Sequence, residues 1–250
     1  MFNQNDYAHV PYPRPSDPKA NVKGGGCGVC CGSTILGYFG KHYPPEVLAP
    51  IFLQRGARAD SGTNMQLACK IVAEMADVKV TTSSDEAELV RCLKVGGIAI
   101  ANVDGDAGEK GVFSNEGHYI VVVGVKDNGD LVIYDVGDYA SKYTSAYRAS
   151  KVKREGELLV CSQATLDMDT KHRTPNYYLF WPKEDDMKQE DFDAMMDDYL
   201  RRRGELKPKL DELAEAKAEG ITDGSRPGGL MTREEGAVMA LRALWKATEK

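Results

Sequence analysis

Two apolar, β-branched segments separated by a short turn constrain the fold of this chain more than any other feature. The segments are HYIVVVGV (118–125) and LVIYDV (131–136), and the turn between them is KDNGD. Two such segments joined by a loop that contains Asn-Gly are typical of a β-hairpin. We therefore expect an antiparallel sheet in which the start of the first strand lies close to the end of the second.

The pattern on either side of this hairpin indicates an α+β fold. Apolar residues at helical spacing predict four helices upstream, at 27–39, 44–56, 63–78 and 85–97. Short β-branched segments predict three more strands, at 98–103, 157–163 and 176–181. Helices followed by an antiparallel sheet are typical of the α+β class.

The composition changes after Pro182, which predicts two domains. Residues 183–250 contain acidic amphipathic segments, turn-rich loops and a capping box at Thr232, and they predict a small all-α module. We therefore expect one domain at 1–182 and a helical C-terminal module at 183–250. An apolar stripe within 187–250 is expected to pack inside the module, and a cell-wall ligand or self-association is the alternative.

Charge and composition exclude several classes of partner. The formal net charge is −6 and no basic patch is dense enough to hold phosphates, so we expect no nucleic acid and no anionic membrane. No segment approaches the roughly 20 apolar residues of a membrane span, and the N-terminus lacks a secretory signal pattern. We expect synthesis in the cytoplasm, six reduced cysteines, no metal site and no cofactor.

The segment GGGCGVCC (24–31) contains the most chemically informative residue, Cys27. Cys27 is a nucleophile, half of a redox pair with Cys30, or a small core residue. Because Cys27 lies at the start of a predicted helix, we expect its thiol pKa to be lowered. His118 lies at the start of the predicted hairpin and Asp135 near its end, so they could supply the base and the acid that a cysteine nucleophile needs. This order favours the nucleophile, with His118 as base and Asp135 as orienting acid; Asp138 is the substitute if Asp135 points away.

Several motifs in the same order resemble a known peptidase group. The segment GGGCGVCCGSTILGYFG is similar to the nucleophile segment of double-glycine-type peptidases, which are papain-like, and EGHYIVVVGVKDNGDLVIYDV is similar to their His and Asp strands. The order of DYAHVPYP, GTNMQLACKIVAEM and LKVGGIAIANV resembles phage and prophage lysins that carry this domain. The C-terminal GITDGSRPGGLMTREEGAVMALRALW resembles S-layer-homology-like segments of Firmicutes prophage lysins.

This resemblance implies both a fold and an activity. The fold is papain-like: N-terminal helices and a central nucleophile helix packed on an antiparallel sheet. The implied catalytic residues are Cys27, His118 and Asp135, with Asn21 at the position of an oxyanion donor. The implied function is a lysin that hydrolyses peptide bonds of peptidoglycan stem peptides at the cell wall after release from the host cytoplasm. A processing peptidase and a non-catalytic papain-fold binding protein are the alternatives.

Overall fold

A computed structural model of the chain describes residues 1–105 and 111–183, together with Ala218. The chain divides into two compact units, Met1–Asp186 and Met187–Lys250. All elements given below belong to the first unit. The helical module predicted for 183–250 lies almost entirely outside the described residues, so it stays a prediction.

The described residues contain one 3₁₀ helix and seven α-helices. A 3₁₀ helix spans Gln4–Asp6. The α-helices of the described residues are α1 Val22–Gly25, α2 Cys27–Tyr38, α3 Pro45–Gln54, α4 Met65–Ala76, α5 Glu86–Lys94, α6 Ala146–Ala149 and α7 Gln163–Thr170. The four helices predicted from periodicity are confirmed as α2 to α5, each one to three residues shorter at one or both ends.

The strands form one antiparallel sheet and one small hairpin. They are β1 Arg58–Ala59, β2 Gly62–Thr63, β3 Lys79–Ser83, β4 Ile98–Val103, β5 His118–Val125, β6 Leu131–Tyr134, β7 Lys153–Glu155, β8 Leu158–Cys161 and β9 Tyr177–Trp181. The seven-stranded sheet has the order β3-β9-β4-β5-β6-β8-β7, and β1 pairs with β2. The predicted hairpin is confirmed as β5 and β6, with Val121 opposite Tyr134 and Val125 opposite Leu131. The chain is therefore α+β, as predicted.

Both faces of the large sheet are covered, which explains why β4 carries apolar residues on both of its faces. All six residues of β4 are buried. Ile98 and Ile100 belong to a core shared with α2, α3 and α4, while Ala99, Ala101 and Val103 belong to a second core shared with α5 and α7. Because successive side chains of a strand point to opposite faces, a strand buried on both faces loses the polar half of its alternation.

The position of α2 fixes the position of Cys27. This helix packs against α3, α4 and β5. At Gly32, a Cβ atom would lie 3.0 Å from Leu48 of α3 and 3.0 Å from Val72 of α4, so the glycine lets the three helices pack closely without displacing these side chains. The N-terminal end of α2 thereby lies against the start of β5. Among the described residues, none of the helices has the length and apolar character of a membrane span.

Candidate active site

Cys27 is the first residue of α2, and glycines on both sides of it are required by packing. A Cβ at Gly26 would lie 2.5 Å from Cγ1 of Val22, and a Cβ at Gly28 would lie 2.6 Å from Sδ of Met65. The first N–H groups of a helix have no partner within it, and here the N–H of Gly28 bonds to the Cys27 thiol. The glycines therefore let the thiol lie at an open helix terminus, where a thiolate is stabilised.

His118 opens β5 and bonds to both of the other predicted residues. Its Nε2 lies 2.8 Å from Oδ1 of Asp135, and its side chain also bonds to the thiol of Cys27. Since Nε2 is occupied by Asp135, Nδ1 is the nitrogen left for the sulfur. A Cβ at Gly137 would lie 2.9 Å from Cε1 of His118, so Gly137 covers the ring closely. The structure thus brings Cys27, His118 and Asp135 together in one chain of hydrogen bonds.

Asp135 is buried just after β6, and each of its oxygens accepts two bonds. Oδ1 accepts the His118 bond and one from the N–H of Gly137 at 2.9 Å. Oδ2 accepts a bond from Nζ of Lys142 at 2.5 Å and one from the hydroxyl of Tyr143 at 2.5 Å. Lys142 is itself buried, with its side chain 7% exposed. The carboxylate is therefore held on both edges, with a cation on the side away from His118.

The alternative acid, Asp138, points elsewhere. Its carboxylate binds the guanidinium of Arg154 through two bonds of 2.7 and 3.0 Å. Its backbone carbonyl accepts bonds from the side-chain amides of Asn3 and Asn5. Asp138 thus ties the N-terminal segment to the loop after β6, and Asp135 is the carboxylate that contacts His118.

The electrostatics of the three residues favour a thiolate–imidazolium pair. Burial opposes ionisation of Cys27, but the hydrogen bond and charge of His118 and the N–H groups of Tyr119 and Gly28 outweigh it and lower the pKa of the thiol. Burial also opposes protonation of His118, yet its bonds to Asp135 and Cys27 raise the pKa of the imidazole to about 9. The pKa of Asp135 is lowered despite burial, because His118 and Lys142 stabilise its charge. These shifts favour the proton on the imidazole over the proton on the thiol.

The other five cysteines differ from Cys27 in burial and in acidity. All six thiols are free. Burial raises the pKa of the thiols of Cys92 and Cys161 to about 12, and it raises the pKa of the other three, Cys30, Cys31 and Cys69, as well. Cys30, the partner in the redox alternative, lies fully buried in the core. Cys27 is thus the one cysteine whose thiol pKa is lowered.

Asn21, the predicted oxyanion donor, has a structural role that the sequence did not reveal. It is the N-cap of α1, and its Oδ1 accepts the N–H of Gly24 at 3.0 Å. Because Oδ1 is used in the cap, the amide is oriented and its Nδ2 remains the donor. The oxyanion role of Asn21 stays a prediction.

Lys142 and Tyr143 are site residues that sequence reasoning missed. They lie in a loop, SKYTS (141–145), that carries no motif, and a lysine in such a polar segment is ordinarily exposed. The closest sequence signal is their distance from Asp135, only seven and eight residues along the chain. Within the described ranges, His, Cys, Asp and Glu side chains form no group of three that could hold a metal ion.

Comparisons with protein-family models and with curated proteins identified no relative of this chain. No protein-family model matches the chain, and no curated protein matches it significantly. The site itself presents a thiol of lowered pKa, an imidazole of raised pKa beside it, and a carboxylate that binds the imidazole.

Proposed function

We propose that this protein is a papain-like cysteine peptidase that hydrolyses peptide bonds of bacterial peptidoglycan, as the resemblance of its motifs to phage and prophage lysins implies. The observation that supports the proposal best is the hydrogen-bonded series Cys27, His118 and Asp135, in which the pKa of the thiol is lowered and that of the imidazole is raised. A thiol of lowered pKa, a base and an orienting acid are what nucleophilic catalysis by cysteine requires.

The proposed reaction proceeds through an acyl-enzyme. The Cys27 thiolate attacks the carbonyl carbon of the scissile bond, and the N–H groups at the start of α2 face the developing oxyanion. When the C–N bond breaks, Nδ1 of His118 gives its proton to the leaving amine, and a thioester remains on Cys27. Water then attacks the thioester while His118 accepts its proton, and the carboxylic acid leaves from a restored thiolate–imidazolium pair.

The substrate assignment is tested with purified wild-type protein and the Cys27→Ala variant on Gram-positive peptidoglycan. New amino termini, read by mass spectrometry, are expected from the wild type and not from the variant. Equal release by both proteins would remove Cys27 from the reaction. Cleavage of unstructured protein substrates without any wall cleavage would favour the processing peptidase instead.

A role of the C-terminal unit in wall targeting is part of the proposal, and it needs its own experiment. A chain that ends at Asp186, where the two units divide, is compared with the full chain. Loss of wall cleavage with retained cleavage of short soluble stem peptides would support targeting. Equal wall cleavage by both chains would remove that role.

A further inference from the structure

Arg58, in β1, has a guanidinium held in one place by its neighbours. Its Nε donates to the carbonyl of Tyr12 at 3.2 Å, and its Cζ lies 4.4 Å from the centre of the Tyr12 ring. The Tyr12 hydroxyl in turn bonds to Oγ1 of Thr63 in β2 at 3.0 Å, and Tyr12 is fully buried. The arginine therefore stacks on a fixed aromatic ring, and little side-chain entropy remains to be lost when it binds a ligand.

The same guanidinium lacks a counter-ion. Among the residues that the structure describes, Arg58 forms no ion pair with a carboxylate, its Nε bonds to a carbonyl, and its buried Nη1 has no hydrogen-bond partner. The charge of Asp60 also favours the protonated arginine, but this carboxylate already accepts the N–H and the hydroxyl of Ser16 at 3.0 and 2.7 Å. A half-buried cation without a counter-ion costs free energy in the free protein, and an anionic ligand bound to the guanidinium would recover part of that cost.

The unpaired guanidinium lies against the segment that leads into Cys27. A Cβ at Gly25, two residues before Cys27, would lie 3.3 Å from Nη2 of Arg58. The charges of Arg58 and Cys27 also influence each other, since a Cys27 thiolate favours the protonated arginine. A ligand bound to Nη2 would therefore lie close to the N-terminal end of α2, where Cys27 stands.

A second arginine near the site differs from Arg58 in having a carboxylate partner. Arg173 lies against Gly117, directly before His118, where a Cβ would lie 2.6 Å from its Nη2. That nitrogen pairs with Oδ2 of Asp104 at 2.6 Å. Arg173 thus has its carboxylate within the protein, whereas Arg58 does not.

We propose that Arg58 is a specificity-determining residue that binds a carboxylate group of the substrate, so that the enzyme prefers peptides with a free carboxylate close to the scissile bond. This inference rests on the proposed function, and it narrows the substrate class to acidic peptides, which include wall stem peptides with unamidated carboxyl groups. Its chemistry is a charge-assisted hydrogen bond from the guanidinium to the carboxylate, formed beside the attacking thiolate.

Two alkylating reagents test this inference without a peptide substrate. Iodoacetate carries a carboxylate and iodoacetamide carries a neutral amide in its place; each transfers its carbon to the sulfur and releases iodide. We would measure both second-order rates for Cys27 in the full chain at pH 7, where the other thiols are buried and protonated. The ratio of the iodoacetate rate to the iodoacetamide rate then reports recognition of the carboxylate, with intrinsic thiolate reactivity divided out.

The ratio is expected to fall about tenfold in Arg58→Gln, which is the effect of losing one charge-assisted hydrogen bond. The control is Arg55→Gln, because Arg55 pairs with Glu74 at 2.7 Å on the surface, and its ratio is expected to equal that of the wild type. An unchanged ratio in Arg58→Gln would overturn the inference. An equal fall in both rates would also overturn it, because Arg58 would then act on the thiolate and not on the incoming carboxylate.

The bond from Arg58 to Tyr12 makes folding a necessary check. Thermal unfolding of each variant is compared with that of the wild type. If Arg58→Gln does not fold, Arg58→Lys takes its place, because lysine keeps the charge but lacks the planar guanidinium. A fall of about threefold in the ratio of the two alkylation rates would support the inference, and an unchanged ratio would overturn it. If peptides prove not to be cleaved at all, the proposed function fails, but the alkylation ratio still reports whether the site binds a carboxylate.

Discussion

Replacing Lys142 with Met is expected to make His118 more basic. Lys142 and His118 bind opposite oxygens of Asp135, at 2.5 and 2.8 Å. This geometry places the two cations about 7 Å apart, and at an effective dielectric constant of about 20 their repulsion is about 2 kcal/mol. Removal of that repulsion would raise the pKa of His118 by about 1.5, from about 9 to about 10.5.

The reaction of Cys27 with iodoacetamide measures this change directly. Its rate rises at acidic pH as the thiolate–imidazolium pair forms, and rises again when His118 loses its proton and frees the thiolate. The second rise is expected near pH 9 in the wild type, about 1.5 pH units higher in Lys142→Met, and near the wild-type value in Lys142→Arg. Because Lys142 is buried, its replacement can destabilise the fold. The thermal unfolding midpoint of each variant is therefore measured to check that it is folded.

A second rise at the wild-type pH or below it in Lys142→Met would refute the reasoning. A second rise at a lower pH than in the wild type would mean that Lys142 chiefly holds Asp135 in place. Loss of Lys142 would then let the carboxylate move away from His118. An unchanged value would mean that the charge of Lys142 is screened from His118. In either case Lys142 would not limit how strongly the imidazole keeps its proton.

Three further substitutions test the site. Cys27→Ala is expected to lower peptide turnover by about 10³-fold or more while the unfolding midpoint stays near that of the wild type, as measured by product formation and calorimetry. Gly137→Ala places a Cβ 2.9 Å from Cε1 of His118 and is expected to slow both alkylation and turnover by at least about tenfold; equal rates would show that the ring has room to move. Asn21→Asp keeps the oxygen that accepts the N–H of Gly24 but removes the amide donor. If Asn21 stabilises the oxyanion, kcat is expected to fall about 10²-fold while stability is unchanged. An unchanged kcat would show that Asn21 acts only as a helix cap.

The sequence predicted the strands and helices that carry strong apolar periodicity, and it predicted which of their ends would meet. The hairpin assignment was sufficient to place His118 and Asp135 together, because antiparallel pairing joins the start of β5 to the end of β6. The strands β3 and β7 were not predicted. Their residues, KVTTS and KRE, are partly exposed at the two edges of the sheet, where burial does not impose an apolar pattern.

The polar contacts around the triad could not be predicted in the same way. Lys142 and Tyr143 reach Asp135 through an irregular loop, and no period relates a loop side chain to a buried carboxylate. Arg58 comes from a two-residue strand, and its contact with Tyr12 spans 46 positions. Such contacts depend on tertiary packing, so a sequence pattern can name the reacting groups without naming the groups that adjust their charge.

The protein carries a negative net charge, whereas Arg58 and His118 at the site are cations. The net charge and these local charges therefore act on different kinds of anionic ligand. The chain carries a formal charge of −6, which disfavours a long polyanion such as nucleic acid because the polyanion samples the whole surface. A single carboxylate samples only the few ångströms around Cys27, where Arg58 is unpaired and His118 is protonated. Over that range the local cations outweigh distant surface charges, which salt screens at about 8–10 Å. An acidic protein can therefore select a small acidic substrate, and the selectivity should persist at physiological ionic strength because it is set at contact distance.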